Sequence, residues 1–199
     1  MRIAGQGAAD LVLHARKAVP GEAESRRVVF ELTDRDKLVQ ALSDCTTVVQ
    51  LIGTMRKRFA SGDTYESSDV GTTRLLTEAA RETQADHFVL LSSVGASPSG
   101  GAYLAAKARA EEIVRCSGIP YTIFRPSALI GREGPGAAGT LDMLFRGVGW
   151  VMGALGLTRM QPIETERVAA AILACARRRE PLEVVLEGAA IRRLAAASP

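Results

Sequence analysis

Short runs of β-type composition alternate with stretches of helical periodicity along this 199-residue chain, and that alternation restricts the fold more than any single motif. Strands are expected over residues 11–15, 27–32, 46–52, 87–91, 121–125 and 182–186. Helices are expected near 35–42, 70–83, 103–116 and 165–178, with a last helix or tail over 191–197. Asp34 stands where an N-cap would open the first helix, and Leu38, Val39 and Leu42 share one of its faces. Ser117-Gly118 supplies a C-terminal stop for the helix that begins at Tyr103. Residues 56–68 are polar and read as a loop. Strands separated by helices of this length imply a doubly wound parallel sheet with helices on both faces, an α/β Rossmann-like fold. No repeat or linker divides the chain, so residues 1–199 are expected to form one domain, with a small substrate-lobe segment near 131–163.

Composition narrows the function. The chain is 47% hydrophobic and 24% charged, the balance of a globular protein rather than a disordered one. A net charge of +3, spread over dispersed basic clusters such as Arg26-Arg27 and Arg177-Arg178-Arg179, argues against a nucleic-acid track. Cys45, Cys116 and Cys175 are odd in number and lack disulfide or zinc spacing, so a reducing, cytoplasmic setting is expected. His14 and His87 fall in apolar, strand-like runs and supply no metal site. No secretory pattern opens the sequence. The glycine-containing apolar stretch 148–157 is shorter than the roughly 20 residues that a transmembrane helix needs. It reads as the wall of a substrate pocket or as a surface for a protein partner.

In a parallel sheet of this kind, ligands bind at the carboxyl ends of the strands. Arg16, Glu31-Leu32, Leu51-Ile52-Gly53, Ser92-Ser93 and Pro126-Ser127 all fall at expected strand ends. Tyr103 and Lys107 are spaced four apart, which places both on one helix face. An ammonium one turn from a phenol favours the phenolate by charge proximity. A serine hydroxyl at the end of the neighbouring strand is placed to hold the same substrate oxygen. Together these groups are equipment for moving a proton while a cofactor moves a hydride.

The order of these pieces resembles the short-chain dehydrogenase/reductase superfamily. It is most similar to the extended and atypical branches, which include sugar-nucleotide epimerases, NmrA-like proteins and an accessory subunit of respiratory complex I. The segments that carry the resemblance are Val49-Gln-Leu-Ile-Gly53, Asp69-Val-Gly-Thr72, Phe88-Val-Leu-Leu-Ser-Ser-Val-Gly95, Tyr103-Leu-Ala-Ala-Lys107 with Ala110-Glu111, Gly118-Ile-Pro-Tyr-Thr-Ile-Phe-Arg-Pro-Ser127, and Gln161-Pro-Ile163. The resemblance implies a catalytic Ser93, Tyr103 and Lys107, with the lysine also holding the nicotinamide ribose. It implies that Glu31 and Leu32 lie beside the adenine and that Leu51, Ile52 and Gly53 pass the adenine ribose and pyrophosphate. Ser92, Pro126, Ser127 and Leu129 complete the expected cofactor site. Arg16 is placed to meet a 2′-phosphate, which favours NADP over NAD. Ser68 stands where many relatives have asparagine.

The front of the chain departs from that pattern. The family opens with a strand, a Gly-x-x-Gly-x-x-Gly turn and a helix, whose backbone amides cradle the pyrophosphate. Residues 1–10 read here as a helix remnant or lead, so the first strand and the glycine-rich turn are expected to be lacking, through a deletion or a misplaced start. Three functions stay open on these grounds: an NAD(P)-dependent oxidoreductase or epimerase-like enzyme acting on a small-molecule substrate, a non-catalytic nucleotide-binding sensor or assembly factor, and a remnant without cofactor. A homodimer through the Tyr103 helix is an arrangement common among relatives.

Overall fold

The computed structural model describes residues 11–15, 27–53, 62, 64–130 and 161–197. Two short strands, β1 (Leu13–Ala15) and β2 (Arg27–Val29), form a parallel ladder that aligns His14 with Val28. Helix α1 (Arg35–Leu42) follows, capped by the Asp34 carboxylate, which accepts a hydrogen bond from the Lys37 backbone N–H. Strand β3 (Thr47–Gln50) leads to a π-helical turn (Glu66–Gly71) that runs directly into α2 (Thr72–Glu82). Then come β4 (His87–Leu91), α3 (Ala102–Arg115) and β5 (Tyr121–Arg125). Two-residue strands β6 (Leu129–Ile130) and β7 (Ile163–Glu164) pair in parallel. Helix α4 (Thr165–Arg178), strand β8 (Val184–Glu187) and helix α5 (Gly188–Ala196) complete the order.

The main sheet is parallel, with strand order β3-β4-β5-β8. Its register pairs Val48 with Phe88, Leu90 with Ile123, and Phe124 with Leu186. Successive strand side chains point to opposite faces, so each strand feeds two cores. Val48, Phe88, Leu90 and Ile123 pack on one side with Leu76, Ala79 and Ala80 of α2 and Ala110 and Val114 of α3. Val89 and Phe124 pack on the other side with Val168, Ala171 and Ile172 of α4 and Ile191 of α5. Fully burying a side chain such as Phe88 or Ile123 stabilises the fold by about 1.5–3 kcal/mol. A sheet apolar on both faces needs helices on both faces, which is the Rossmann-like α/β arrangement expected from the sequence.

Several boundaries differ from the sequence reading. The loop expected over 56–68 gives way at its end to the π-helical turn, which begins ahead of the helix expected at Val70. The β6–β7 ladder was not expected; it ties the segment after β5 to the start of α4. The last helix begins at Gly188 rather than 191. His87 is sealed in the sheet, with Nε2 2.9 Å from Thr122 Oγ1. The Thr122 hydroxyl donates to the Pro181 carbonyl, so its oxygen accepts from the His87 Nε2–H. Burial, and next the Arg179 charge, lower the His87 pKa, so this histidine belongs to the core. The expectations for residues 1–10, the 131–160 part of the substrate lobe and the apolar stretch 148–157 lie outside the described residues.

Candidate functional site

The carboxyl ends of β3, β4 and β5 open onto a cavity of about 420 Å³. Its walls come from three strand ends and one helix. Leu51, Ile52 and Gly53 continue β3 along one side. Leu91 closes β4, and Ser92 and Ser93 follow it. Tyr103 and Lys107 reach in from α3, and Pro126, Ser127 and Leu129 follow β5. Gly53 lies beside the Lys107–Asp69 pair: a Cβ there would make ordinary contact, 3.4 Å from Lys107 Nζ and 3.5 Å from Asp69 Oδ1.

Helical periodicity explains how α3 serves both core and cavity. Ala106, Ala110 and Val114 are buried against the sheet, while Tyr103 and Lys107 lie one turn apart at the cavity. The Lys107 ammonium donates to the Leu91 carbonyl at 3.2 Å and stands 2.8 Å from Asp69 Oδ1. It lies 5.9 Å from the centre of the Tyr103 ring. The Tyr65 ring packs against Tyr103 with centroids 5.4 Å apart.

One turn further along α3, Glu111 is fully buried and gathers three elements. It accepts from Ser92 Oγ at 2.6 Å, from Arg125 Nε and Nη2 at 2.7 and 2.6 Å, and from Arg115 Nη2 at 2.8 Å. Burial by itself would raise this carboxyl, yet the hydrogen bonds from Arg125, Ser92 and Arg115 hold it below the usual glutamate value. The same hydrogen bonds to Glu111 push Arg125 upward. Ser92 is thereby fixed by a buried charge, and Ser93 follows it in the cavity wall.

The structure brings together Leu51, Ile52, Gly53, Ser92, Ser93, Tyr103, Lys107, Pro126, Ser127 and Leu129 of the residues singled out in the sequence. Glu31 and Leu32 lie apart from that wall. The Glu31 carbonyl accepts from the Asp34 N–H in the turn before α1, and Leu32 packs against the core. Arg16 lies outside the described residues. Sequence reasoning missed Asp69 as the partner of Lys107. It also missed the Glu111 network, although Glu111 continues the four-residue spacing from Tyr103 and Lys107. Asp69 gives no such signal, because a π turn shifts the helical phase.

The site fits a dinucleotide in its donor set: hydroxyls, one ammonium, a glycine and apolar side chains meet at parallel strand ends. Among the described residues no group of three or more His, Cys, Asp or Glu side chains is placed to hold a metal ion. No described helix is long and apolar enough to cross a membrane.

A model of the NAD(P)H-binding family matches residues 8–179. Among curated proteins, the chloroplastic protein TIC 62 of Pisum sativum is 32% identical over 120 residues, covering 55% of this chain and 22% of that protein. The protein of the same name from Oryza sativa subsp. japonica is 32% identical over 109 residues, again covering 22% of its length. The match thus spans about a fifth of those relatives, and both are named as chloroplastic, whereas the sequence expectation for this chain was the cytoplasm. Among solved structures, MoeE5 in complex with UDP-glucose and NAD aligns at 18% identity and a TM-score of 0.62, covering 93% of this chain and 72% of that one. The Bordetella bronchiseptica enzyme WbmH in complex with NAD+ aligns at 15% identity and 0.61, covering 94% and 71%. UDP-glucuronic acid 4-epimerase from Bacillus cereus, in complex with NAD, aligns at 17% and 0.57, covering 81% and 59%. At these identities the likeness is one of fold.

Proposed function

The chain belongs to the NAD(P)H-binding family, and from that membership we propose that it is an NAD(P)-dependent oxidoreductase or epimerase-like protein of the extended or atypical short-chain dehydrogenase type, working through Ser93, Tyr103 and Lys107. The observation that carries the reading is that these three side chains and Gly53 line one cavity at the carboxyl ends of parallel strands. A nicotinamide dinucleotide, when bound, supplies a hydride donor or acceptor that no side chain provides.

The protein's own residues divide the remaining work. Ser93 Oγ holds the substrate oxygen by a hydrogen bond. The Tyr103 hydroxyl gives a proton to that oxygen or takes one from it. Lys107 presents its ammonium to the cavity and holds the nicotinamide ribose. Leu51, Ile52 and Gly53 form the wall along which the nucleotide lies. Pro126, Ser127 and Leu129 keep water from the reacting face, and the Ser127 hydroxyl is anchored on the Gln161 carbonyl. NADP is the expected form on the strength of Arg16 in the sequence, and the substrate is an uncharged carbonyl compound or a nucleotide-linked sugar.

Calorimetric titration of the full chain with NADPH and with NADH tests the first half of this reading. Binding in the micromolar range is expected, tighter for NADPH. A carbonyl-compound panel, read by nicotinamide absorbance, tests the second half. Tyr103→Phe is expected to lower turnover by 10²–10⁴-fold, the usual worth of a positioned acid/base group, while leaving dinucleotide affinity within about threefold. Unchanged turnover in that variant overturns the catalytic assignment. Binding without turnover on any compound marks a nucleotide sensor or assembly factor, and failure to bind either dinucleotide overturns the proposal.

A further inference from the structure

The π-helical turn before α2, with Tyr65 just ahead of it, meets α3 at three places, through one ring contact and two ion pairs. The Tyr65 ring packs on Tyr103, Glu66 pairs with Arg109, and Asp69 pairs with Lys107. The turn therefore braces the face of α3 that carries the candidate acid/base pair. π turns recur at functional sites because the extra residue per turn re-aims side chains that an α-helix would send elsewhere.

Asp69 is the contact that matters chemically. Its side chain is 1% exposed and that of Lys107 is 6% exposed. Apart from the Lys107 ammonium, no described donor reaches either Asp69 carboxylate oxygen. A buried carboxylate with a single counter-charge is costly unless its partner is held in place. The backbone here is held: Thr73 Oγ1 donates to the Asp69 carbonyl at 2.6 Å and in turn accepts from Gln50 Nε2 at 2.9 Å. A lysine ammonium has three N–H donors. The Leu91 carbonyl takes one, at 3.2 Å, and Asp69 fixes the ammonium from a second direction. With one N–H on the Leu91 carbonyl and Asp69 as its ion-pair partner, the ammonium keeps donor capacity at the cavity that Lys107 lines.

We propose that Asp69 is a positioning residue for the nucleotide site: its carboxylate, aimed by the π turn, holds the Lys107 ammonium against the end of β4 so that one donor faces the ligand. This rests on the dinucleotide-site reading above, and two readouts separate them. The chain has four lysines, Lys17, Lys37, Lys57 and Lys107, so ¹⁵N-labelled ammonium resonances are few, and Lys107→Met assigns the one of interest. The wild-type protein is expected to show a slowly exchanging Lys107 ammonium signal that Asp69→Asn abolishes. Absence of that signal in the wild type, or its survival in Asp69→Asn, overturns the proposal whether or not a dinucleotide binds.

The second readout is NADPH affinity in a double-mutant cycle. Asp69→Asn is expected to weaken binding by about tenfold, the worth of one charge-assisted hydrogen bond. In the Lys107→Met background the same change is expected to have no effect. Equal weakening in both backgrounds would mean that Asp69 supports the fold and not the lysine, and would overturn the proposal. Should Asp69→Asn not fold, Asp69→Glu keeps the charge and displaces the carboxylate by one methylene; it is expected to shift the ammonium signal and weaken binding, and a wild-type result in both overturns the proposal. A wild-type chain that binds no dinucleotide sinks the cofactor reading alone, and the ammonium signal still decides what Asp69 does to Lys107.

Discussion

Glu111 is a buried carboxylate that accepts four hydrogen bonds from three residues, and its surroundings make its charge testable. Its value lies below the usual 4.5 for a glutamate, so its stabilising contribution is present above that value and is lost as the pH falls through the lower native one. Glu111→Gln is expected to lower stability by about 3 kcal/mol at pH 7, because it leaves Arg125 short of its buried counter-charge. The difference from wild type is expected to narrow as the pH falls below 4.5, where the unfolded carboxylate takes up a proton, and to be lost below the lower native value. A constant difference across that range would mean that the network is held by shape rather than charge. At this scale the sequence was readable where chemistry follows spacing. Tyr103 and Lys107 stand out because four residues make one helical turn, and Ser92-Ser93 because they end an apolar run. Asp69 and Arg125 were not readable as partners of Lys107 and Glu111. Their meeting depends on how separate elements pack, which no local pattern encodes.

Elements were most legible where a cap announced them. Asp34 marks the start of α1, and Ser117-Gly118 marks the end of α3, where Gly118 takes a φ of 76° and Ser117 Oγ donates to the Val114 carbonyl at 2.7 Å. The π turn was illegible because its polar sequence, Glu66-Ser-Ser-Asp69, has the composition of a loop while its contacts to α3 give it order. The start of α3 offers a sharp test of local geometry. A Cβ on Gly100 would fall 2.6 Å from Leu104 Cβ and 3.1 Å from the Ser97 carbonyl, so Gly100→Ala is expected to destabilise by about 1–3 kcal/mol. At the neighbouring N-cap, Gly101 has a φ of −59° and nothing within 4 Å of its added Cβ. Gly101→Ala is therefore expected to be neutral or to stabilise by up to about 1 kcal/mol, through the unfolded chain. Thermal melts of the two variants side by side check both signs.

At the scale of the whole molecule, strand–helix alternation sufficed for the parallel sheet and the helices on both its faces. It did not foretell that β1 and β2 form their own ladder, nor that β6 and β7 form another. Strand partners are set by packing and register, and the small strands carry too few residues for a periodic signal. The two cores give a test of unity. Phe88 belongs to one and Phe124 to the other, and both are fully buried. Phe88→Ala and Phe124→Ala are each expected to cost about 3–5 kcal/mol. If residues on both faces belong to one cooperative domain, each variant lowers the midpoint of a single denaturant transition; separate transitions would divide the domain.

Among the described residues every ladder joins strands that run in the same direction, and this shapes how the chain comes into being as well as how it stands. Among the described residues no paired strands are joined by a tight turn, so Thr122 meets Val184 and Leu129 meets Ile163 only after long intervening stretches of sequence have been made. The entropy of closing those loops is lost before any contact rewards it, which sets folding on a slow scale of roughly milliseconds to seconds. During synthesis β3, β4 and β5 are complete while β8 is still to be made, and the nascent sheet presents the bare edge of β5 to its surroundings. Until β8 arrives, that edge is the place where the growing polypeptide is open to pairing with the wrong strand.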